Sequence, residues 1–171
     1  KVHRLGQLLE PLRAEGVLPV SRDAEAGPPT LLGRKLGQYL VMEKIGQGGM
    51  GAVFRAQDTT LRRMVAVKVI RCGPLDDAKT AERFRREALC LARLSHPNLL
   101  HVYNVGQEGE WHFFAMELLD GVSLYRLIRQ RQAIPVAELV PLAGQLLAAL
   151  AYVHSQGITH RDIKSGNVMI C

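Results

Sequence analysis

From residue 39 onward, short apolar-rich segments are bounded by glycine-rich and polar turns, a pattern typical of β-strands. It predicts three strands, at 39–46, 52–58 and 64–71, joined by a glycine-rich turn and by a polar turn at 58–63. Two more strands are predicted at 99–105 and 111–119, with a turn at 107–110 between them. The short connections predict an antiparallel sheet of five strands.

Helical spacing of apolar residues appears in three segments: from Asp76 or Asp77, either of which can cap the helix, to about residue 94, at 123–131 and at 136–154. Pro141 lies inside the third segment, so the regular helix either begins at this proline or is kinked by it. The first segment places Phe84, Glu87 and Leu91 on one apolar stripe.

Glu87 therefore faces a core, where a carboxylate needs a partner to offset the loss of hydration. One candidate is Lys68 on a neighbouring strand. The other is Arg83, four residues earlier on the same helix, as an exposed pair of about 0.3–0.5 kcal/mol.

Residues 1–38 lack a continuous apolar pattern of either strand or helix type. Apolar residues in 1–19 are interrupted by Pro11 and Gly16, which permits at most a short amphipathic helix, and residues 21–30 have the composition of a linker. Residues 1–38 are accordingly predicted to be an extension and linker, with the domain boundary between Leu31 and Tyr39.

Composition narrows the class of protein. The 171 residues are 47% hydrophobic and 22% charged, which indicates a soluble globular chain of about one domain. The net charge of +6 is dispersed without interleaved aromatic residues, so solvated faces are favoured over a nucleic-acid surface. Three scattered cysteines indicate a reducing compartment. No apolar run approaches the roughly 18 residues of a membrane span, so a cytoplasmic location is expected for these residues.

The first candidate site is the glycine loop, residues 46–51, where Gly46, Gly48, Gly51 and Val53 form the pattern G-x-G-x-x-G-x-V. Absent side chains let backbone N–H groups approach phosphate oxygens. Alone, this pattern also marks a dinucleotide-binding turn or a mobile loop. A dinucleotide-binding turn opens a helix and requires an acid about 20 residues later, whereas here a strand follows and position 68 is a lysine.

The second candidate site is the segment 160–167, His-Arg-Asp-Ile-Lys-Ser-Gly-Asn, which matches H-R-D-x-K-x-x-N. Taken singly, His160 would more often be a packed core histidine and Asp162 a surface carboxylate. With the glycine loop and with Lys68 in Val-Ala-Val-Lys, the chain from 39 to 171 resembles Hanks-type serine/threonine protein kinases of the bacterial kind. Ser165 stands where that family usually has proline.

The resemblance implies an α+β protein-kinase-like fold. Its N-lobe, at about 39–119, would be a five-stranded antiparallel sheet with one helix, and its C-lobe, at about 120–171, would contain the first helices and the catalytic loop. It also favours Lys68 as the partner of Glu87. The implied activity is phosphoryl transfer from ATP to serine or threonine hydroxyl groups of a protein substrate.

The resemblance also implies residue roles. Asp162 would accept the hydroxyl proton, Lys164 would neutralise charge on the transferred phosphate, and Asn167 would hold Mg²⁺. Catalytic roles fall on Asp162, Lys164, Lys68 and Glu87. ATP would contact the glycine loop, the strand lysine and the hinge, through Ile45, Gly46, Gln47, Gly48, Gly49, Met50, Gly51, Val53, Ala66, Lys68, Met116, Glu117, Leu119 and Asn167.

A complete kinase domain has about 250 residues or more, and no D-F-G follows Asn167 here. These residues are therefore expected to be a partial domain without kinase turnover on their own, exposing Leu139, Leu146, Leu147, Leu150 and Val153 on the long helix. Such a surface is expected to drive self-association or chaperone binding. The alternative to an enzyme is a nucleotide-binding pseudokinase or scaffolding module, against which the intact Lys68, Glu87, Asp162 and Asn167 argue.

Overall fold

The computed structural model describes residues 31–48, 51–73 and 78–171. The predictions for residues 1–30, for Gly49 and Met50 and for the helix caps Asp76 and Asp77 lie outside the described residues. The described chain divides into a sheet with one helix, up to Glu117, and a mainly helical part that follows.

The sheet is antiparallel throughout and has the strand order β1-β2-β3-β4-β6-β5. All five predicted strands are present, and the predicted count is wrong by one because a two-residue strand precedes them. Two residues are too few for alternation to be visible in a sequence. The strands are β1 (Lys35–Leu36), β2 (Tyr39–Gly48), β3 (Gly51–Asp58), β4 (Arg63–Arg71), β5 (Val102–Glu108) and β6 (Trp111–Glu117).

The additional strand β1 lies within the predicted linker. Leu31 and Leu36 are buried in the core, and β1 pairs with the start of β2. Gly33 N–H also donates to the carbonyl of Val41, at 2.8 Å. We therefore propose that the folded domain begins near Leu31 rather than at Tyr39.

Strand β5 begins three residues later than predicted. Leu99 and Leu100 are buried, but they belong to a turn in which Leu99 N–H donates to the carbonyl of His96. Apolar residues that pack from a loop look like strand residues in a sequence, and this similarity moved the predicted boundary.

Both faces of the sheet are covered, which explains why β4 is buried along nearly its whole length. Helix α1 (Ala78–Ala92) packs against one face through Phe84, Ala88 and Leu91. The opposite face packs around Tyr39, together with Leu31 and Leu36. Two hydrophobic clusters therefore fix β4 between them.

The polar turn between β3 and β4 is organised by Asp58, which is fully buried. Its Oδ1 accepts hydrogen bonds from the N–H groups of Thr60 and Leu61 and from the side chain of Gln38. Burial raises the pKa of Asp58, but these hydrogen bonds outweigh it and hold the pKa below its usual value. The turn is thus fixed by one ionised carboxylate.

The second part contains α2 (Leu124–Arg131), α3 (Val136–Ser155), a short 3₁₀ turn (Ser165–Asn167) and a two-stranded sheet of β7 (Val122–Ser123) and β8 (Met169–Ile170). Ser123 caps α2, since its side chain accepts a hydrogen bond from Arg126 N–H. Helix α3 begins at Val136, so Pro141 lies inside it and the alternative of a helix beginning at Pro141 is wrong.

The outward face of α3 differs from the predicted one. Leu139 and Leu147 are exposed as predicted, whereas Val153 is buried, Leu146 is half-buried against the core and Leu150 is half-buried. Val136 and Val140 are also exposed.

The expectation that no apolar segment approaches the length of a membrane span is also wrong. By length and composition, the 20 residues of α3 could cross a membrane, and 17% of the apolar stretch is buried. Its polar residues, such as Glu138 and Gln145, are too few to lower the mean hydropathy of the helix below that of a membrane span. Core helices of soluble proteins share this composition.

Candidate active site

The glycine loop connects β2 to β3 as a hairpin. Gly46 pairs with Val53, and Gly48 pairs with Gly51, so the strands remain paired up to the loop. Gly51 has a φ of +131°, and a β-carbon there would clash with the carbonyl of Val69, so only glycine fits. A register shift between Lys44 and Gly46 leaves Ile45 as the extra residue of a bulge, half exposed beside the loop.

Lys68 lies on β4, where it pairs with Val53 on one side and with Phe114 on the other. Its Nζ donates to Oε1 of Glu87 on α1 over 3.1 Å, and both side chains are only 8% exposed. The predicted Lys68–Glu87 partnership is therefore confirmed. The rings of Phe84 and Phe114 lie about 6 Å from the ammonium group and add to its removal from water.

The predicted hinge follows β6. Ala66 on β4 pairs with Met116, and Val65 pairs with Glu117, so the predicted adenine contacts Ala66, Met116 and Glu117 lie on two adjacent interior strands. Glu117 N–H donates to the carbonyl of His101, over 2.9 Å. Strand β6 ends at Glu117, two residues earlier than predicted, which leaves Leu119 outside any strand or helix.

The catalytic loop brings Asp162, Lys164 and Asn167 together. Lys164 Nζ lies 2.9 Å from Oδ2 of Asp162, and Asn167 Nδ2 donates to the same oxygen and to the carbonyl oxygen of Asp162, at 2.9 Å each. The hydrogen bond from Lys164 holds the pKa of Asp162 below its usual value; burial opposes this effect and Asn167 adds to it. Asp162 is therefore ionised at neutral pH.

His160 supports this loop from the core. It is buried, and its Nδ1 accepts a hydrogen bond from Asp162 N–H over 3.1 Å. Burial lowers the pKa of His160, with the charge of Asp162 opposing the shift. Because Nδ1 is an acceptor, the neutral ring carries its proton on Nε2, which has no hydrogen-bond partner in the described part of the chain.

Two connections around the site were not predicted. The first is the β7–β8 pair, in which Ser123 opposes Met169, while Leu124 N–H donates to the carbonyl of Val168 over 2.7 Å. The segment after the hinge is thereby joined to the end of the catalytic loop. Gly121 was the only signal of this contact in the sequence, since a β-carbon there would clash with the carbonyl of Ile170.

The second connection fastens the loop after α1 to α3. Asn98 Nδ2 donates to Oε1 of Gln145 over 2.9 Å, and Ser95 N–H donates to the hydroxyl of Tyr152 over 3.0 Å. The ring of His96 stacks on Tyr152, with 5.4 Å between ring centroids. The sequence of this loop indicated only the end of a helix.

The described part of the chain contains few side chains that could hold a metal ion together. Among residues 31–48, 51–73 and 78–171, no three His, Cys, Asp or Glu residues are grouped so that they could hold a metal ion. Mg²⁺ at phosphate-transfer sites is usually held by one or two protein oxygens together with phosphates and water, so the amide oxygen of Asn167 fits such a site without a full protein cage.

Comparison with protein families decides what this arrangement is. Residues 39–171 match the model described as "Protein kinase domain". The chain belongs to the protein kinase domain family. The glycine loop, the Lys68–Glu87 pair and the catalytic loop all lie within the matched residues.

The curated relatives that it resembles are named as bacterial serine/threonine-protein kinases. A probable serine/threonine-protein kinase of Clostridium acetobutylicum is 38% identical over 133 residues, which are 78% of this chain and 20% of that protein. Serine/threonine-protein kinase PrkC of Bacillus subtilis is 36% identical over 141 residues, or 82% of this chain and 22% of PrkC. The chain thus spans about a fifth of the length of these relatives.

Solved kinase domains share the fold. The crystal structure of the Mycobacterium tuberculosis PknI kinase domain superposes with a TM-score of 0.69 at 30% identity, covering 80% of this chain and 56% of the PknI chain. The α+β kinase fold expected from the sequence is confirmed.

Proposed function

We propose that the protein containing this chain is an ATP-dependent serine/threonine protein kinase. The observation that carries this proposal is the catalytic loop, in which the carboxylate of Asp162 accepts hydrogen bonds from both Lys164 and Asn167. A serine or threonine hydroxyl on a protein substrate is the acceptor that such a loop serves in the kinase family.

Nucleotide binding falls on the N-lobe. The glycine loop offers backbone N–H groups to phosphate oxygens, and Lys68, held in place by Glu87, supplies a positive charge to them. Val53 and Ala66 on paired strands, with Met116 opposite Ala66, provide apolar contacts for adenine. Backbone groups of Glu117 and Leu119 offer the hydrogen bonds to its edge.

Phosphoryl transfer falls on the catalytic loop. Asp162 is ionised, so its carboxylate is available to orient the acceptor hydroxyl and take up its proton. Lys164, which is half exposed beside it, is available to neutralise charge on the transferred group.

Asn167 is oriented for a metal. Its amide nitrogen is bonded to Asp162, which leaves the amide oxygen Oδ1 to coordinate Mg²⁺, an ion that prefers oxygen ligands. When bound, Mg²⁺ neutralises phosphate charge. We place this chemistry in the cytoplasm, where ATP is available.

The test uses the full-length protein with ATP·Mg and a generic protein substrate. Asp162→Asn should lower the rate of phosphate transfer by about 10²- to 10⁴-fold because the acceptor carboxylate is lost. Phosphoamino-acid analysis should find phosphoserine or phosphothreonine. Phosphotyrosine alone would contradict the role given to Lys164, and nucleotide binding without any transfer would favour the pseudokinase alternative.

A further inference from the structure

Helix α2 presents a basic surface in the C-lobe. Its eight residues include three arginines and no acidic residue, and all three arginines are exposed. Between residues 118 and 137 the sequence contains one carboxylate, that of Asp120. We call Arg126 and Arg129 the α2 arginine surface.

These two arginines are not neutralised within the described structure. Arg131 forms an ion pair with Glu138 over 2.8 Å, so its charge is compensated. Arg129 donates to the uncharged hydroxyl of Tyr125 over 3.2 Å. The guanidinium of Arg126 has no hydrogen bond or ion pair in the described part of the chain. Two positive charges are therefore available to a partner.

The α2 arginine surface lies next to the catalytic loop. Ser123, which caps α2, pairs with Met169, and Leu124 N–H bonds the carbonyl of Val168, the residue after Asn167. The helix also packs against the Ser165–Asn167 turn. Arg126 stands in the first turn of α2, three residues after the cap. An extended peptide advances about 3.3 Å per residue, so residues three to five away from the acceptor lie about 10–17 Å from it.

We propose that the α2 arginine surface selects acceptor segments that carry Asp or Glu near the serine or threonine. This proposal rests on the proposed kinase function and names its substrate class. Guanidinium groups bind carboxylates with paired hydrogen bonds, and complementary charge speeds encounter and excludes basic segments. Because exposed ion pairs are individually weak, two of them should change the preference by roughly 3- to 20-fold.

A nucleic acid fits this surface less well, and so does an anionic membrane, since membrane-binding basic segments carry about four to eight Lys or Arg residues. The surface has two arginines on one short helix, and its aromatic residue, Tyr125, is already bonded by Arg129. Nucleic-acid surfaces combine several phosphate contacts with stacking residues. Both partners are nevertheless included as outcomes of the test.

The experiment compares three peptides with one serine acceptor, flanked by Glu, Ala or Lys, as substrates of the full-length protein. The test variant is Arg126→Glu/Arg129→Glu. The matched control is Arg34→Glu/Lys35→Glu, which makes the same change of charge at exposed residues on and beside the edge strand β1. The parent and the control should show the highest kcat/KM for the Glu peptide, and the test variant should lose or reverse this order.

A binding measurement keeps the proposal testable without catalysis. Fluorescence anisotropy gives the Kd of each peptide, of a single-stranded oligonucleotide and of phosphatidylserine vesicles. Tighter binding of the Glu peptide that is lost only in Arg126→Glu/Arg129→Glu supports the proposal, even if the protein transfers no phosphate and the kinase function fails. Equal binding of the Glu and Ala peptides, an unchanged order in the test variant, or a preference for the oligonucleotide or vesicles would overturn it.

Discussion

Lys68 and Glu87 are both almost fully withdrawn from water, and their opposite charges lie 3.1 Å apart. Removal of one partner leaves a buried charge, which is strongly destabilising, whereas replacement of both by apolar groups is often neutral. The contribution of the pair to folding and its contribution to nucleotide binding can therefore be separated by mutation.

We expect Lys68→Met to lower the free energy of unfolding by about 3–5 kcal/mol and to abolish ATP binding, because the buried carboxylate of Glu87 loses its 3.1 Å contact with the ammonium and phosphate loses the same ammonium. Lys68→Met/Glu87→Leu should recover most of the stability but not ATP binding. The two quantities are measured by urea denaturation and by nucleotide titration.

The control for this prediction is Arg71→Met. Arg71 also forms an ion pair, with Glu110 at 2.9 Å, but both side chains are about half exposed. Its loss should cost less than about 1 kcal/mol. Equal costs for Lys68→Met and Arg71→Met, or ATP binding by Lys68→Met, would contradict the roles assigned to the buried pair.

Because His160 is buried, we expect the free energy of unfolding to depend on pH. Its pKa is lowered in the folded protein by burial, so below its unfolded pKa of about 6.5 the unfolded chain binds a proton that the folded chain resists. The free energy of unfolding should therefore fall as the pH decreases from about 7.5 to 5. Denaturation of the parent and of His160→Gln across this range isolates the effect, and parallel pH profiles would show that His160 does not contribute.

At the scale of elements, the predictable features were those with a long period or a specific motif. Apolar-rich segments bounded by turn residues revealed β2 to β6, and the apolar stripe of α1 identified Glu87 as a buried carboxylate. The strands β1, β7 and β8 have two residues each and show no period. The contact of Asn98 with Gln145 joins residues 47 apart, and nothing local in either segment indicates it.

Gly121 allows the β7–β8 pair to form, since any β-carbon there would clash with the backbone of Ile170. We expect Gly121→Ala to destabilise the protein by about 1–3 kcal/mol and to reduce phosphate transfer, because β8 follows directly on the catalytic loop. Gly144→Ala is the control: it lies on α3 with open space around it and should stabilise the helix by about 0.5–1 kcal/mol. Thermal unfolding of both variants tests this, and a neutral Gly121→Ala would contradict the close approach.

At the scale of the whole molecule, helix α3 presents several exposed apolar residues on its surface. Val136, Val140 and Leu147 are each more than 60% exposed. The matched region makes up 56% of the PknI kinase-domain chain, and we expect this face to be covered in a full kinase domain.

The 171-residue polypeptide should therefore self-associate when it is prepared alone, because exposed apolar patches of this kind drive association. Val140→Glu/Leu147→Glu should shift it toward monomer, whereas His154→Glu, at an exposed polar position of the same helix, should not. Light scattering measures the change. A stable monomer before mutation would show that the exposed face of α3 does not drive self-association. Insertion into lipid vesicles would instead indicate a membrane role for this helix.

The loop that follows α1 is hydrogen-bonded to α3, so α1 can rotate about its C-terminal end. Contacts of Ser95 and Asn98 with Tyr152 and Gln145 hold the C-terminal end of the helix as a pivot. Glu87 lies five residues before the end of α1, about 7.5 Å along its axis, so a rotation of about 15° would move its carboxylate by about 2 Å. That displacement is enough to open the 3.1 Å contact with Lys68. A small rotation at the end of α1 nearest the C-lobe is thus enough to separate Glu87 from Lys68 at the nucleotide site.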